Sequence, residues 1–184
     1  MLNPLYRQRG IKHEAAHAIN HTLFKTKLML DSNTIDIEPW YNTFDEGSAM
    51  YASGEVESAK RRGADFKKDD GTLFNIVGND AILNYLISNP NQFWKEYVFG
   101  GNPGHLTGGI LFSLLEHEGL TPEKNVVAMK NLAEYYKEPG AKTNKELIKA
   151  AYEIALGKNL NYLFNDLLQP GINRFYATST SSSR

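Results

Sequence analysis

A mainly α-helical chain with one small antiparallel sheet, an α+β arrangement ending in a C-terminal helical bundle, is the fold class this 184-residue sequence predicts. Three observations support it. Apolar residues recur at three- and four-residue spacings over most of the length. Around Thr34 the pattern switches to the alternation of a half-buried strand. Asn, Thr, Pro and Gly stand where helices should start and stop. Hydrophobic residues at 41% and charged residues at 22% are ordinary for a soluble globular protein. The expected organisation is a single domain over residues 1–177, followed by a Ser/Thr tail at 178–184 with nothing to bury and expected to be disordered.

The elements follow in chain order. Asn3-Pro4 reads as an N-cap followed by proline at the first helical position. From there to about Lys25, Leu5, Ile11, Ala15, Ala18, Ile19 and Leu23 recur at helical spacing. Asp31-Ser32-Asn33 marks a turn, and Thr34-Ile35-Asp36-Ile37-Glu38 alternates as a strand ended by Pro39. Residues 41–47 read as a loop and 48–53 as a second short strand, giving a hairpin-like pair. The charged stretch 55–71 reads as a solvated loop or frayed helix. Leu73 to Ile87 is expected as an apolar helix closed by Ser88-Asn89-Pro90. A short helix follows from Asn91 to Phe99, whose Phe93, Trp94, Tyr97 and Phe99 read as core. Beyond the break at residues 100–104, helices are expected at about 105–117, 122–137, 145–156 and 160–168.

Composition narrows the chemistry. Twenty basic against 21 acidic side chains leave a net charge of −1, which argues against nucleic acid or an anionic membrane surface as partner. The absence of cysteine excludes a disulfide scaffold, a thiolate nucleophile, an iron–sulfur cluster and a Cys-rich zinc ribbon. No run approaches the roughly 18 apolar residues of a membrane span. No secretory signal is visible at the N-terminus, so the expected location is the cytoplasm. A side-chain metal site in this chain must use His, Asp or Glu.

The residues His13-Glu14-Ala15-Ala16-His17 contain His-Glu-x-x-His in a helical frame. Residues four apart lie about 40° apart around a helix and one turn along it, so both imidazoles can converge on one zinc ion (Zn2+). Glu14 would then stand beside the open position of the metal, placed to take a proton from bound water. Ala15, Ala16 and Ala18 are small, as a helix packed under a metal requires. His21 continues the spacing but lies too far along the axis for the same ion, and reads as a supporting or surface residue. A third ligand is needed. His105 is the first choice, because it follows a Gly/Pro-rich bend at the start of a helix, and Asp80 is the alternative. Glu116, His117 and Glu118 read as a solvated cluster at a helix end.

At these residues the chain resembles the peptidase domain of the FtsH-type membrane-anchored AAA+ zinc proteases. The likeness begins at His13-Glu14-Ala15-Ala16-His17-Ala18, where that family has a His-Glu-Ala-Gly-His-Ala helix. It continues through Thr34 to Pro39, Gly47 to Tyr51, and Leu73 to Ile87 with Gly78 and Ala81. It spans residues 5–168, and only the zinc motif is specific. The resemblance implies a zincin-like helix and a metallopeptidase acting on a peptide or an unfolded protein. This chain departs from the family in three ways. Ala16 replaces the usual glycine. No Gly-x-x-x-x-Gly-Lys phosphate loop is present, so no ATPase module is expected. The family's third ligand is an aspartate opening a helix, where this chain has Gly104-His105-Leu106-Thr107.

The expected function is therefore a zinc-dependent peptidase with His13, His17 and His105 on the metal and Glu14 as proton carrier. Tyr41 and Tyr51 are candidates for stabilising the oxyanion. The rival expectation is a catalytically inactive protein of the same fold that serves as a binding or assembly module.

Overall fold

A computed structural model describes residues 4–24, 38–57, 63–78, 80–137 and 143–176. Proline begins five of the helices, where its missing N–H costs nothing and its fixed φ suits the first turn. Helix α1 is Pro4–Phe24 and α2 is Pro39–Ser53. The Glu38 carboxylate caps α2 by accepting the Tyr41 backbone N–H at 2.7 Å, and Gly54 ends it in the left-handed conformation at φ 75°. Strands β1 (Ala64–Lys67) and β2 (Leu73–Ile76) pair antiparallel, with Ala64 opposite Ile76 and Lys67 opposite Leu73. Their turn is closed by Asp70, whose carboxylate accepts both the Thr72 N–H and hydroxyl, at 2.9 and 2.6 Å.

Helices α3 (Ala81–Ser88), α4 (Pro90–Glu96), α5 (Pro103–His117), α6 (Pro122–Lys137) and α7 (Asn144–Leu156) follow. Thr143 and Glu146 form a reciprocal capping box on α7. A π-helical segment, Leu163–Leu168, leads into α8 (Gln169–Tyr176).

Helix α2 is the centre of the molecule, packed between α1 and α5. Phe44 on α2 meets Phe24 of α1 and Phe112 of α5, with ring centroids 5.7 and 6.4 Å apart. Trp40 stacks on Phe164 at 5.2 Å, which ties the start of α2 to the C-terminal segment. The hairpin docks through Phe66, fully buried among Phe74, Tyr85, Phe93 and Tyr97 at 5.1–5.4 Å. Phe93 and Trp94 belong to this core, as their sequence context predicts. Among the described residues, no helix is long and apolar enough to cross a membrane.

The mainly helical class with a two-stranded antiparallel sheet is the one the sequence predicts, but the strands lie elsewhere. Residues 41–47, expected as a loop, and 48–53, expected as a strand, form one helix, α2. This helix is buried on two sides, so its apolar and small residues do not show a single stripe of period 3.6. The hairpin occupies the charged stretch and the start of the expected Leu73–Ile87 helix, which shrinks to Ala81–Ser88. Buried Phe66 and half-buried Phe74 supply its aromatic pair, and the intervening Asp-Asp-Gly supplies the turn. The last helix does not stop at Pro170-Gly171. The wider π-helical register just before Pro170 accommodates a residue that lacks an N–H, and the chain stays helical to Tyr176. The expected strand at 34–37, part of the charged stretch at 58–62 and the tail at 178–184 lie outside the described residues.

Candidate metal centre

One face of α1 is built from His13, His17, Asn20 and Phe24, spaced as a helix stripe should be. It presses on α2, where Phe44, Asp45 and Ser48 are buried. Two polar stripes thus meet inside the molecule, and each group must find a partner. Asn20 Nδ2 donates to Asp45 Oδ1 and Ser48 Oγ, both at 2.7 Å. The His17 Nδ1–H donates to Asp45 Oδ2 at 2.9 Å.

That bond turns the other nitrogen of His17 toward Glu46. His17 Nε2 lies 3.5 Å and His13 Nε2 3.6 Å from Glu46 Oε2. His13, His17 and Glu46 each offer one donor atom within 4.8 Å of the others. Donors bound at 2.0–2.1 Å to a tetrahedral zinc are about 3.4 Å apart. The spacing to Glu46 is therefore close to what such an ion requires. On the far side of His13, Nδ1 faces Glu55 Oε2 at 3.6 Å, so a carboxylate backs each of the two imidazoles.

The pattern of satisfied and unsatisfied atoms is informative. Glu46 Oε1 accepts from Asn102 Nδ2 at 3.1 Å, which anchors the carboxylate to the N-cap of α5. Glu46 Oε2 and His13 Nδ1 are buried without a hydrogen-bond partner among the described residues. His105 Nε2 does approach Glu46 Oε2 to 2.7 Å, but off the line of a hydrogen bond. A buried carboxylate oxygen thus sits within 3.6 Å of three imidazole nitrogens with no hydrogen bond to any of them. Burying such a charge is costly unless something compensates it, and a divalent cation among these donors would do so. The residues present fit zinc.

Of the residues singled out in the sequence, His13, His17 and His105 are brought together, with ring centroids of His13 4.8 Å from His17 and 5.7 Å from His105. Glu46, which the sequence did not single out, joins His13 and His17 in a close set of candidate donors, because α2 lies flat against α1. His105 stands at the edge of the set, about half-exposed. Glu14 is exposed on α1 and has no hydrogen bond or ion pair among the described residues. Asp80 is exposed at the N-cap of α3, at φ 59°, and lines a cavity shared with His105.

His21 Nε2 lies 3.5 Å from Asp45 Oδ2, with its side chain partly open to solvent. His117 pairs with Glu118 at the far end of α5. Tyr51 packs on Phe112 and has its pKa raised by burial and by the charges of Glu116 and Glu123, so it sits toward the end of α2 away from the donors. Burial, then Asp45, raise the pKa of Tyr41 strongly.

Sequence reading missed Glu46 and its neighbour Asp45. A signal was present: two acids followed by Gly47-Ser48-Ala49, the same small-residue context noted beside the histidines. Read locally, that segment resembles a loop followed by a strand, which hides the helical spacing that brings the acids to the histidines.

No protein-family model matches the chain, and no curated protein or solved structure matches it either.

Proposed function

We propose that this chain is a zinc-dependent hydrolase of peptide bonds, with His13, His17 and Glu46 holding the metal. The observation that supports this most is the buried Oε2 of Glu46, which has no hydrogen bond and faces two imidazoles that each have a further carboxylate at Nδ1. Two histidines and a glutamate are a donor set of catalytic zinc sites, which keep one position open. Zinc bound there would lower the pKa of a water and polarise a carbonyl. Everything else falls to the chain. Asp45 holds His17 by a hydrogen bond at Nδ1, and Glu55 faces Nδ1 of His13 at 3.6 Å, which leaves both Nε2 atoms free to ligate. Glu14, next to His13 on the exposed flank of α1, takes the proton of the attacking water and delivers it to the leaving amine as the C–N bond breaks. His105, beside the donor set yet open to solvent, would bind the carbonyl oxygen of the peptide.

Metal analysis and peptide hydrolysis test this together. The wild-type chain is expected to carry zinc near one per chain and to cleave an unstructured peptide. Glu46→Ala should lose the metal. Glu14→Gln should keep it and lose about 10²–10⁴-fold in kcat. His105→Ala should keep zinc with reduced hydrolysis; loss of zinc in that variant would make His105 a ligand. A zinc-free wild type, or full activity in Glu14→Gln, overturns the proposal. Zinc without hydrolysis of any peptide points instead to a binding module of the same fold.

A further inference from the structure

We infer that the centre selects a large apolar side chain in the residue flanking the cut bond, and that this side chain seats in the cavity between α3, α5 and the end of the hairpin. The inference rests on the zinc reading above and adds the substrate class to it. The cavity measures about 250 Å³. That is below the ~300–1,000 Å³ of sites that enclose whole small molecules, and suits a single side chain. Its walls are Met50 from α2, Ile82 from α3, Tyr97, and Leu106, Gly109 and Ile110 from α5.

Two residues join it to the metal centre. The His105 side chain lines the cavity and its Nε2 lies 2.7 Å from Glu46 Oε2, so one imidazole borders both spaces. Met50 stands one helical turn beyond Glu46 on α2. A peptide whose carbonyl lies at His105 therefore has an apolar recess next to it. The polar groups of the lining do not alter its character. The Ser113 hydroxyl is turned back onto Gly109 O at 2.8 Å. Asp80 is exposed at the rim, where its carboxylate opposes an entering acidic side chain. Each methylene buried in such a recess raises affinity about fourfold.

Hydroxamic acids test the recess without requiring turnover, because the hydroxamate binds the zinc and its substituent probes the neighbouring space. The probes are acetohydroxamic, 3-phenylpropanohydroxamic and succinic monohydroxamic acids, titrated calorimetrically into the zinc-loaded full chain. The phenylpropano compound should bind at least tenfold tighter than the acetyl compound, and the acidic compound no tighter. Ile110→Trp fills the recess from α5, and Ile82→Trp fills it from the half-buried rim of α3. Each should bring the phenylpropano-to-acetyl ratio near one while zinc content and acetohydroxamate affinity stay unchanged. If Ile110→Trp does not fold, Ile82→Trp reads the same ratio. Equal affinities in the wild type, or a preference that survives the filled recess, overturn the recess and leave the zinc reading standing. A chain that takes up no zinc overturns both.

Discussion

Asp45 has one carboxylate oxygen on His17 and the other on Asn20, so a single side chain fixes the ring of His17 and ties two helices together. Its exchange for Asn is nearly isosteric and keeps the packing, but an amide no longer accepts the Nδ1–H as a carboxylate does. Asp45→Asn should weaken zinc binding by about 10–100-fold with little change in folding, as supporting carboxylates of ligating histidines generally do. Competition with a chromophoric chelator measures it, and unaltered affinity would remove Asp45 from this role. At this scale legibility follows sequence distance. His13 and His17 share one helix turn, so their convergence is implied by spacing alone. The bond from His17 to Asp45 crosses 28 positions and depends on how two helices pack, which no local pattern encodes.

Helices α2 and α5 cross at two glycines. A Cβ on Gly108 would stand 2.4 Å from Thr43 O and 2.5 Å from the backbone nitrogen of Gly47, and a Cβ on Gly47 would meet Gly108 O at 2.5 Å. Both obstacles are backbone, which cannot swing aside. The Thr43 and Thr107 hydroxyls share a 2.7 Å hydrogen bond in the same interface. Gly108→Ala must therefore push the helices apart. A loss of about 1–3 kcal/mol is expected from overpacking, read as a lower denaturant midpoint. Zinc affinity should fall with it, because Glu46 is the residue before Gly47. Gly10→Ala in α1 provides the contrast. Nothing lies within 4 Å of that Cβ, and the helix should gain about 0.5–1 kcal/mol. Equal effects of the two substitutions would contradict the crossing as the cause. The helices α5 to α7 were legible as elements because their caps and stops are local. The mistaken strand at 48–53 shows the limit. Gly47 is small so that α5 can approach, while Ser48 faces Asn20 of α1, and small residues carry little periodicity when read without their neighbours.

Across the whole molecule, the end of α5 is fastened to the segment after α7 by Lys158, which donates to Glu118 O at 2.8 Å and to its carboxylate at 2.9 Å. The hydrogen bond from Lys158 is the main reason the Glu118 pKa lies below the ordinary value, with partial burial opposing it and the Lys158 and His117 charges adding to it. A carboxyl whose pKa is lower in the folded state stabilises the fold above its unfolded pKa, about 4.3, and that contribution disappears as pH falls through the lowered value. Glu118→Gln should therefore flatten the fall of Tm below about pH 4 and leave the slope near neutrality alone. The effect should be small, since the pair is solvent-exposed. A superimposable acid limb in the variant would show that the contact contributes nothing. By itself, the sequence determined the helical class, the exclusion of thiolate chemistry, and a paired-histidine face on α1, all of which follow from composition and local spacing. Only the tertiary structure decided that Glu46 stands within reach of His13 and His17, that His105 stands beside it and lines an apolar cavity, and that the sheet lies at residues 64–76. The physical reason is the close approach of α2 to both α1 and α5, set by glycines and paired polar groups whose partners lie far along the chain.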